Sequence, residues 1–184
     1  SLIGFDTGPG NALMDNFAKV SNDQYYDKDG LIASSGNPNL DIVAEFLTDK
    51  FFKKKPAKSL DRNSFIKLYK NLLTKNLSTN DTMATLLEIT VDSILLGTKY
   101  LPSKIKNIIV TGGGHNNKYL IKRLREKLDT IFVSETDIDI NFDYIESELI
   151  AFLSARSFYN LPITVPSTTG VSKTSSGGKL YKYL

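Results

Sequence analysis

Two short stretches hold residue types that can do chemistry. The first is Asp6-Thr7-Gly8-Pro9-Gly10-Asn11, between an apolar run, Leu2 to Phe5, and a helical pattern that begins at Ala12. An acid at the C-terminal tip of a strand in a parallel sheet points into the crevice where such sheets bind ligands. Glycines beside it let a ligand approach the main chain. The helix that follows presents free N–H groups and the positive end of its dipole, both suited to an anion. A carboxylate so placed can act as a general base or hold a magnesium-bound group. The competing explanation is a tight turn with a capping Asp, because strand-to-helix turns are often glycine-rich for steric reasons alone. The second stretch is Val110-Thr111-Gly112-Gly113-Gly114. Three glycines clear every side chain from the surface above the strand, so that a flat ring or a phosphate can rest on the backbone. Their backbone entropy cost argues for a ligand rather than a purely steric turn. No Gly-Lys-Ser/Thr follows and the G-x-G-x-x-G spacing is missing, so this is neither a P-loop nor a dinucleotide fingerprint.

Other polar groups are weaker candidates. His115 is the single histidine and there is no cysteine, which excludes histidine-cluster and thiolate metal sites and any disulfide framework. His115 follows the triple glycine and has no evident partner, so a helix-start position explains it as well as a ligand contact does. Asp27 and Asp29 resemble the start of a calcium loop, but the twelfth position is Pro38 rather than Glu. Glu146 and Glu148 lie too close in sequence to share a helical face. Lys53-Lys54-Lys55 is a solvated run, and the nine tyrosines are scattered and form no stacking platform. No residue is assigned as a metal ligand.

The elements that position the two stretches follow from periodicity. Leu2 to Phe5 is expected as a buried strand, and Asn11 as the N-cap of the helix that starts at Ala12, with Leu13, Met14, Phe17, Ala18 and Val20 on roughly one side. Residues 27–30 are a turn. Asn39 caps a helix over 40–50, and a further helix starts from Asp61 or Asn63. A long, well-buried helix runs from Ser78 or Thr79 to about Tyr100. Residues 105–111, apolar and β-branched, are expected as a central parallel strand. A helix over 116–128, a strand over 130–134, a helix over 144–158 capped by Asp143 and a strand over 161–165 complete the order. The tail from Ser167 onward is rich in Ser, Thr and Gly and is expected to be loosely ordered. This order predicts an α/β fold with helices flanking a sheet of at least three strands, joined by right-handed crossovers.

The 184 residues suit one domain or one lobe of something larger. A hydrophobic fraction of 41%, a charged fraction of 23% and a net charge of +3 are ordinary for a globular protein and give no sign of a nucleic-acid or membrane surface. No apolar run reaches the ~20 residues that span a bilayer. The absence of cysteine is compatible with a reducing cytoplasm. The chain opens inside an apolar run and without Met, which points to a start within a longer protein.

The residues from Gly4 to Asp15 (Gly-Phe-Asp-Thr-Gly-Pro-Gly-Asn-Ala-Leu-Met-Asp) resemble the signature of the anhydro-N-acetylmuramic acid kinases. Further pieces follow in that family's order: Asp29-Gly30 with Ala33, Lys58-Ser59 with Arg62, Ala84-Thr85-Leu86, Thr111 to Gly114 with Asn117 and Leu120, Glu146 with Leu153 and Arg156, Asn160-Leu161-Pro162 and Thr169-Gly170. The chain departs from the pattern at Asp61, where the family carries glycine, and in part of the 146–156 helix.

The resemblance implies the two-lobed ribonuclease H-like fold of actin, hexokinase and the heat-shock ATPases. This chain would be most of the second lobe, without its first hairpin and without the first lobe's phosphate motif. It further implies a cytoplasmic enzyme of cell-wall recycling that opens the 1,6-anhydro bridge with water and phosphorylates O6 from ATP, with Mg2+. Asp6 would be the general base. Thr7, Gly8, Gly10 and Asn11 would lie near the sugar or phosphate, and Gly112, Gly113, Gly114 and Asn117 against the nucleotide. With one wall of the cleft on the missing lobe, turnover by this chain alone is not expected, and an open cleft face or a homodimer covering it is. Two other readings stay open: a degenerate, non-catalytic nucleotide- or sugar-binding module, and a different ATPase of the same superfamily.

Overall fold

In the computed structural model, which describes residues 2–181, the helical periodicities become α1 (Ala12–Asn22), the short α2 (Leu31–Ser34), α3 (Leu40–Leu47), the single turn α4 (Lys50–Lys53), α5 (Ile66–Leu73) and α6 (Thr79–Thr98). A two-residue strand β1 (Asn107–Ile108), α7 (Lys118–Lys127), a second strand β2 (Ile131–Phe132), and helices α8 (Glu135–Ile138), α9 (Ile145–Phe158) and α10 (Pro166–Thr169) follow. The caps explain several starts. Ser78 Oγ accepts from the Asp81 amide at the head of α6, and Asn39 Oδ1 accepts from the Ile42 amide at the head of α3. Asp81 in turn accepts from the Asn37 amide, which with Ser78 holds its carboxyl below the ordinary range.

Helix α6 is the axis of the molecule. Met83, Leu86, Leu87, Ile89 and Val91 are fully buried, and α1, α2, α3, α4 and α7 all pack around them. Burial on every side is why its apolar residues do not form a single stripe. Beyond α3, Phe46, Phe51, Phe52 and Phe65 form an aromatic cluster with ring centroids 5.2–6.2 Å apart; Phe52 and Phe65 are stacked. This cluster fastens the segment that runs past Lys58 to α5.

One charged group sits inside this apolar axis. Glu88 is 1% exposed. It accepts from Arg123 Nε and Nη2 of α7 at 3.1 and 2.9 Å, and Lys127 lies 2.5 Å away. Burial opposes its charged form, but the two cations outweigh burial and hold its carboxyl below the ordinary range. A paired charge of this kind fixes where α7 sits along α6.

The sheet is smaller than the sequence predicts. β1 and β2 pair in parallel through Asn107–Ile131 and Ile108–Phe132, and the described residues contain no third strand. Leu2 to Phe5 is not a strand, because its amides reach separate segments instead of a neighbouring ladder: Gly4 N–H donates to Ser167 O, and Asp6 N–H to Lys58 O. The segment 161–165 forms only an isolated antiparallel bridge, Thr164 to Ser175. Three helix boundaries also move. Residues 62–65 form a turn before α5, α3 stops at Leu47, and α9 starts from Tyr144 rather than from an Asp143 cap. The tail contributes α10 and the bridge at Ser175, and residues 182–184 lie outside the described residues.

Candidate functional site

The first glycine-rich stretch lies on α6, and small residues on one face of that helix set how closely. Thr90, Ser93 and Gly97 follow i, i+3, i+7 spacing, which puts them on one side. Thr90 Oγ1 donates to Gly10 O at 2.7 Å. A Cβ added to Gly8 would meet Ser93 Cβ at 2.4 Å, and one added to Gly97 would meet Thr7 Cγ2 at 2.5 Å. Gly8 is therefore required for close approach. Thr7 is occupied in seating the loop on the helix.

Asp6 stands exposed at the start of this loop, and its surroundings fix its direction. Its amide donates to Lys58 O at 2.9 Å, and its Oδ2 accepts from Leu60 N–H at 2.6 Å. Among the described residues no donor reaches Oδ1. The 58–60 segment that grips it is anchored in turn: Lys58 Nζ donates to Phe51 O at 3.3 Å and lies over the Phe51 and Tyr100 rings, and burial there pushes its pKa down.

The second stretch forms a 3₁₀ turn, Gly112–Asn116, between β1 and α7. Gly112 O lies 2.6 Å from His115 Nδ1, and since a carbonyl can only accept, Nδ1 carries the proton. The neighbouring 142–143 segment braces the turn: Gly112 N–H donates to Phe142 O, and Asn116 Nδ2 donates to Asp143. His115 packs edge-on to Phe142, so it is part of the brace.

The two stretches meet through Asn11. A Cβ built on Gly113 or Gly114 would lie 3.9 or 3.7 Å from Asn11 Nδ2. Asn11 makes no side-chain cap to α1, a correction to its predicted role, because its backbone is already helical and its amide turns toward the glycines. Asn117, predicted to touch the nucleotide, is buried. Its Oδ1 caps α7 by accepting from Leu120 N–H at 2.9 Å. Gly30 (φ +74°) packs against the same Oδ1, where a Cβ would come within 2.4 Å.

Beside the junction lies a cleft of about 480 Å3, within the range of small-ligand sites. Asn11, Gly113 and Asn117 of the sequence-derived candidates line it. So do Met14, Asp15, Tyr25, Tyr26 and Asn116, which sequence reasoning passed over. For Asp15 the signal was available, since it closes the 4–15 signature. For Tyr25 and Tyr26 no motif marked their return to the cleft after α1.

A family model described as anhydro-N-acetylmuramic acid kinase matches residues 1–183. The chain belongs to the anhydro-N-acetylmuramic acid kinase family. Curated relatives of that name include one from Zymomonas mobilis, 37% identical over 98% of this chain and 48% of its own length. One from Rhodopseudomonas palustris strain BisB18 is 40% identical over 98% of this chain and 48% of its own, and one from Sulfurimonas denitrificans is 35% identical over 98% and 52%. The chain thus spans about half the length of the anhydro-N-acetylmuramic acid kinases it matches. Among the described residues no helix is long and apolar enough to cross a membrane, and no three His, Cys, Asp or Glu side chains gather as a metal site.

Proposed function

We propose that this chain forms the base-bearing and nucleotide-facing wall of a cytoplasmic, ATP-dependent kinase. That kinase hydrolyses the internal bridge of 1,6-anhydro-N-acetylmuramic acid and phosphorylates O6. The observation that carries the reading is the junction of the two glycine-rich stretches at Asn11, with the Asp6 carboxylate exposed at the head of the first. Asp6 Oδ2 is tied to the Leu60 amide. Oδ1 is the atom that takes the proton from water as its oxygen bonds to the anomeric carbon. The bond from that carbon to O6 breaks, and O6 accepts the phosphoryl group with ADP as the leaving product. Tying one carboxylate oxygen orients the other, the positioning on which such catalysis depends. The described residues offer magnesium no cage of their own, so the ion would be held by phosphate oxygens and water, as is usual for Mg2+ at nucleotide sites.

The departure at Asp61 does not favour the degenerate-module reading. Asp61 does not have the positive φ for which a glycine would be needed, and its carboxylate accepts from Asn63 N–H at 2.8 Å within an ordinary turn. The apolar side chains that α9 leaves uncovered would lie against the rest of the kinase, with self-association the outcome if that region is not supplied.

The test is sugar-dependent phosphorylation by this chain alone and after joining it to the upstream half of a relative. Activity is expected only in the joined protein, and Asp6→Asn there is expected to lower it about 10²–10⁴-fold. Undiminished turnover by the Asp6→Asn protein would remove Asp6 as the base. Binding of ATP without any joined activity would favour the non-catalytic module.

A further inference from the structure

We propose that, in the cleft beside the glycine junction, Asp15 reads the nucleoside by accepting hydrogen bonds from its hydroxyl or amine donors. The inference rests on the kinase reading and adds to it a specificity residue.

Cations answer the carboxylates that line the cleft, Lys118 at Asp29 and the charge of Arg62 at Asp15, with Lys28 beside Asp27. The cleft therefore offers phosphates no excess of positive charge, whereas an uncharged sugar and base need none. The lining also suits a ring: Tyr25 and Tyr26 are 81% and 58% exposed at the cleft, and every base has a face that can stack on such side chains.

The three acids are not equivalent. Asp27 is buried and both its oxygens are used, Oδ1 by Ile32 N–H and Oδ2 by Ala33 N–H, each at 2.9 Å. Asp29 pairs with Lys118 at 3.2 Å. Asp15 is half-buried in the first turn of α1, and among the described residues nothing donates to its carboxylate. Burial pushes its pKa up, with the charge of Arg62 opposing. A partly desolvated acceptor without a donor is unfavourable, and a bound nucleoside supplies the missing donors. Asp15 then discriminates, because a ligand lacking the donor leaves the carboxylate unmatched again.

The experiment is calorimetry of ADP, 2′-deoxy-ADP and IDP with the unsubstituted chain, Asp15→Asn and Asp15→Ala. ADP is expected to bind Asp15→Ala at least ~10-fold more weakly. One analogue should already bind the unsubstituted chain about 10-fold more weakly and be indifferent to the substitution. If that analogue is 2′-deoxy-ADP the donor is a ribose hydroxyl, and if it is IDP the donor is the base amine. Asp15→Asn, close in shape, carries the test if the Ala variant does not fold; thermal unfolding without nucleotide shows which is intact. ADP affinity within twofold of the unsubstituted chain, or an equal loss for all three nucleotides, would overturn the assignment of Asp15. No ADP uptake by the unsubstituted chain, or ADP binding that ignores Asp15, overturns the present inference, whereas the kinase reading is decided separately by turnover of the joined protein.

Discussion

Helices α6 and α9 are both apolar, yet twelve of the twenty residues of α6 are buried and none of the fourteen of α9 is. Leu149, Ile150, Phe152 and Phe158 of α9 are all more than half exposed. The same kind of sequence has met two different surroundings. Around α6 the chain supplies every neighbour it needs: α1 to α4 on its sides and α7 clamped by Glu88. Around α9 the described residues supply little beyond the 177–180 segment, tied to it through Ser157 and Gly177, and most of its apolar side chains stay uncovered. The motifs of one family thus lie partly on a self-supporting core and partly on a helix whose apolar side chains stay exposed.

The comparison breaks first at the cores. Leu87→Ala, at a fully buried position, is expected to destabilise the chain by about 2–5 kcal/mol in urea unfolding, whereas Leu149→Ala should change it by less than about 0.5 kcal/mol. Equal effects would mean that α9 is packed after all. Glu88→Ala is next, at roughly 1–3 kcal/mol, because Arg123 and Lys127 lose their buried acceptor while keeping Glu126 and Asp92. Its pH signature sharpens the point. The folded-state pKa of Glu88 is depressed, so its stabilisation is present above the unfolded-state value of about 4.3 and is lost as pH falls through the folded value. Glu88→Gln should therefore flatten the acid limb of the stability curve.

Gly8→Ala ranks third, at about 1–3 kcal/mol by the same unfolding measurement, because the new methyl would collide with Ser93. Asp15→Asn is the smallest and has the opposite sign. The raised pKa of Asp15 means that the folded state binds its proton more tightly. Stability therefore falls as pH rises from the unfolded to the folded value, and the full loss is present at neutral pH. Removing the charge should raise the melting temperature at pH 7 while weakening ADP binding. A lowered melting temperature would contradict the burial argument.

Much of the helical half was legible because its signals are local. Asn39 and Ser78 cap where their spacing to the following apolar residues says they should, and the apolar faces expected for α1 and α3 fall inward except at Val20, which is exposed. Of the strands, only the parallel pair inside the runs 105–111 and 130–134 was legible, and the others were not for the opposite reason. Residues 2–5 have strand composition, but a strand exists only beside another, and Gly4 and Asp6 find Ser167 and Lys58 instead. Asn11 and Asn117 show the same limit at the site. Each precedes a helix, and sequence cannot say that Asn117 turns back to cap while Asn11 turns across to the glycines. Tyr25 and Tyr26 reach the cleft only because the chain reverses after α1.

The face of α6 made by Thr90, Ser93 and Gly97 has a design consequence. The height of the Asp6 loop is set from below, by missing bulk on a helix that no ligand need touch. Trimming or adding single methyl groups along that rail would raise, lower or tilt the acid by fractions of an ångström while leaving every group around it intact. Tuning of the geometry of the proposed base can therefore be sought on the underside of the loop, where alteration of the exposed surface itself is avoided.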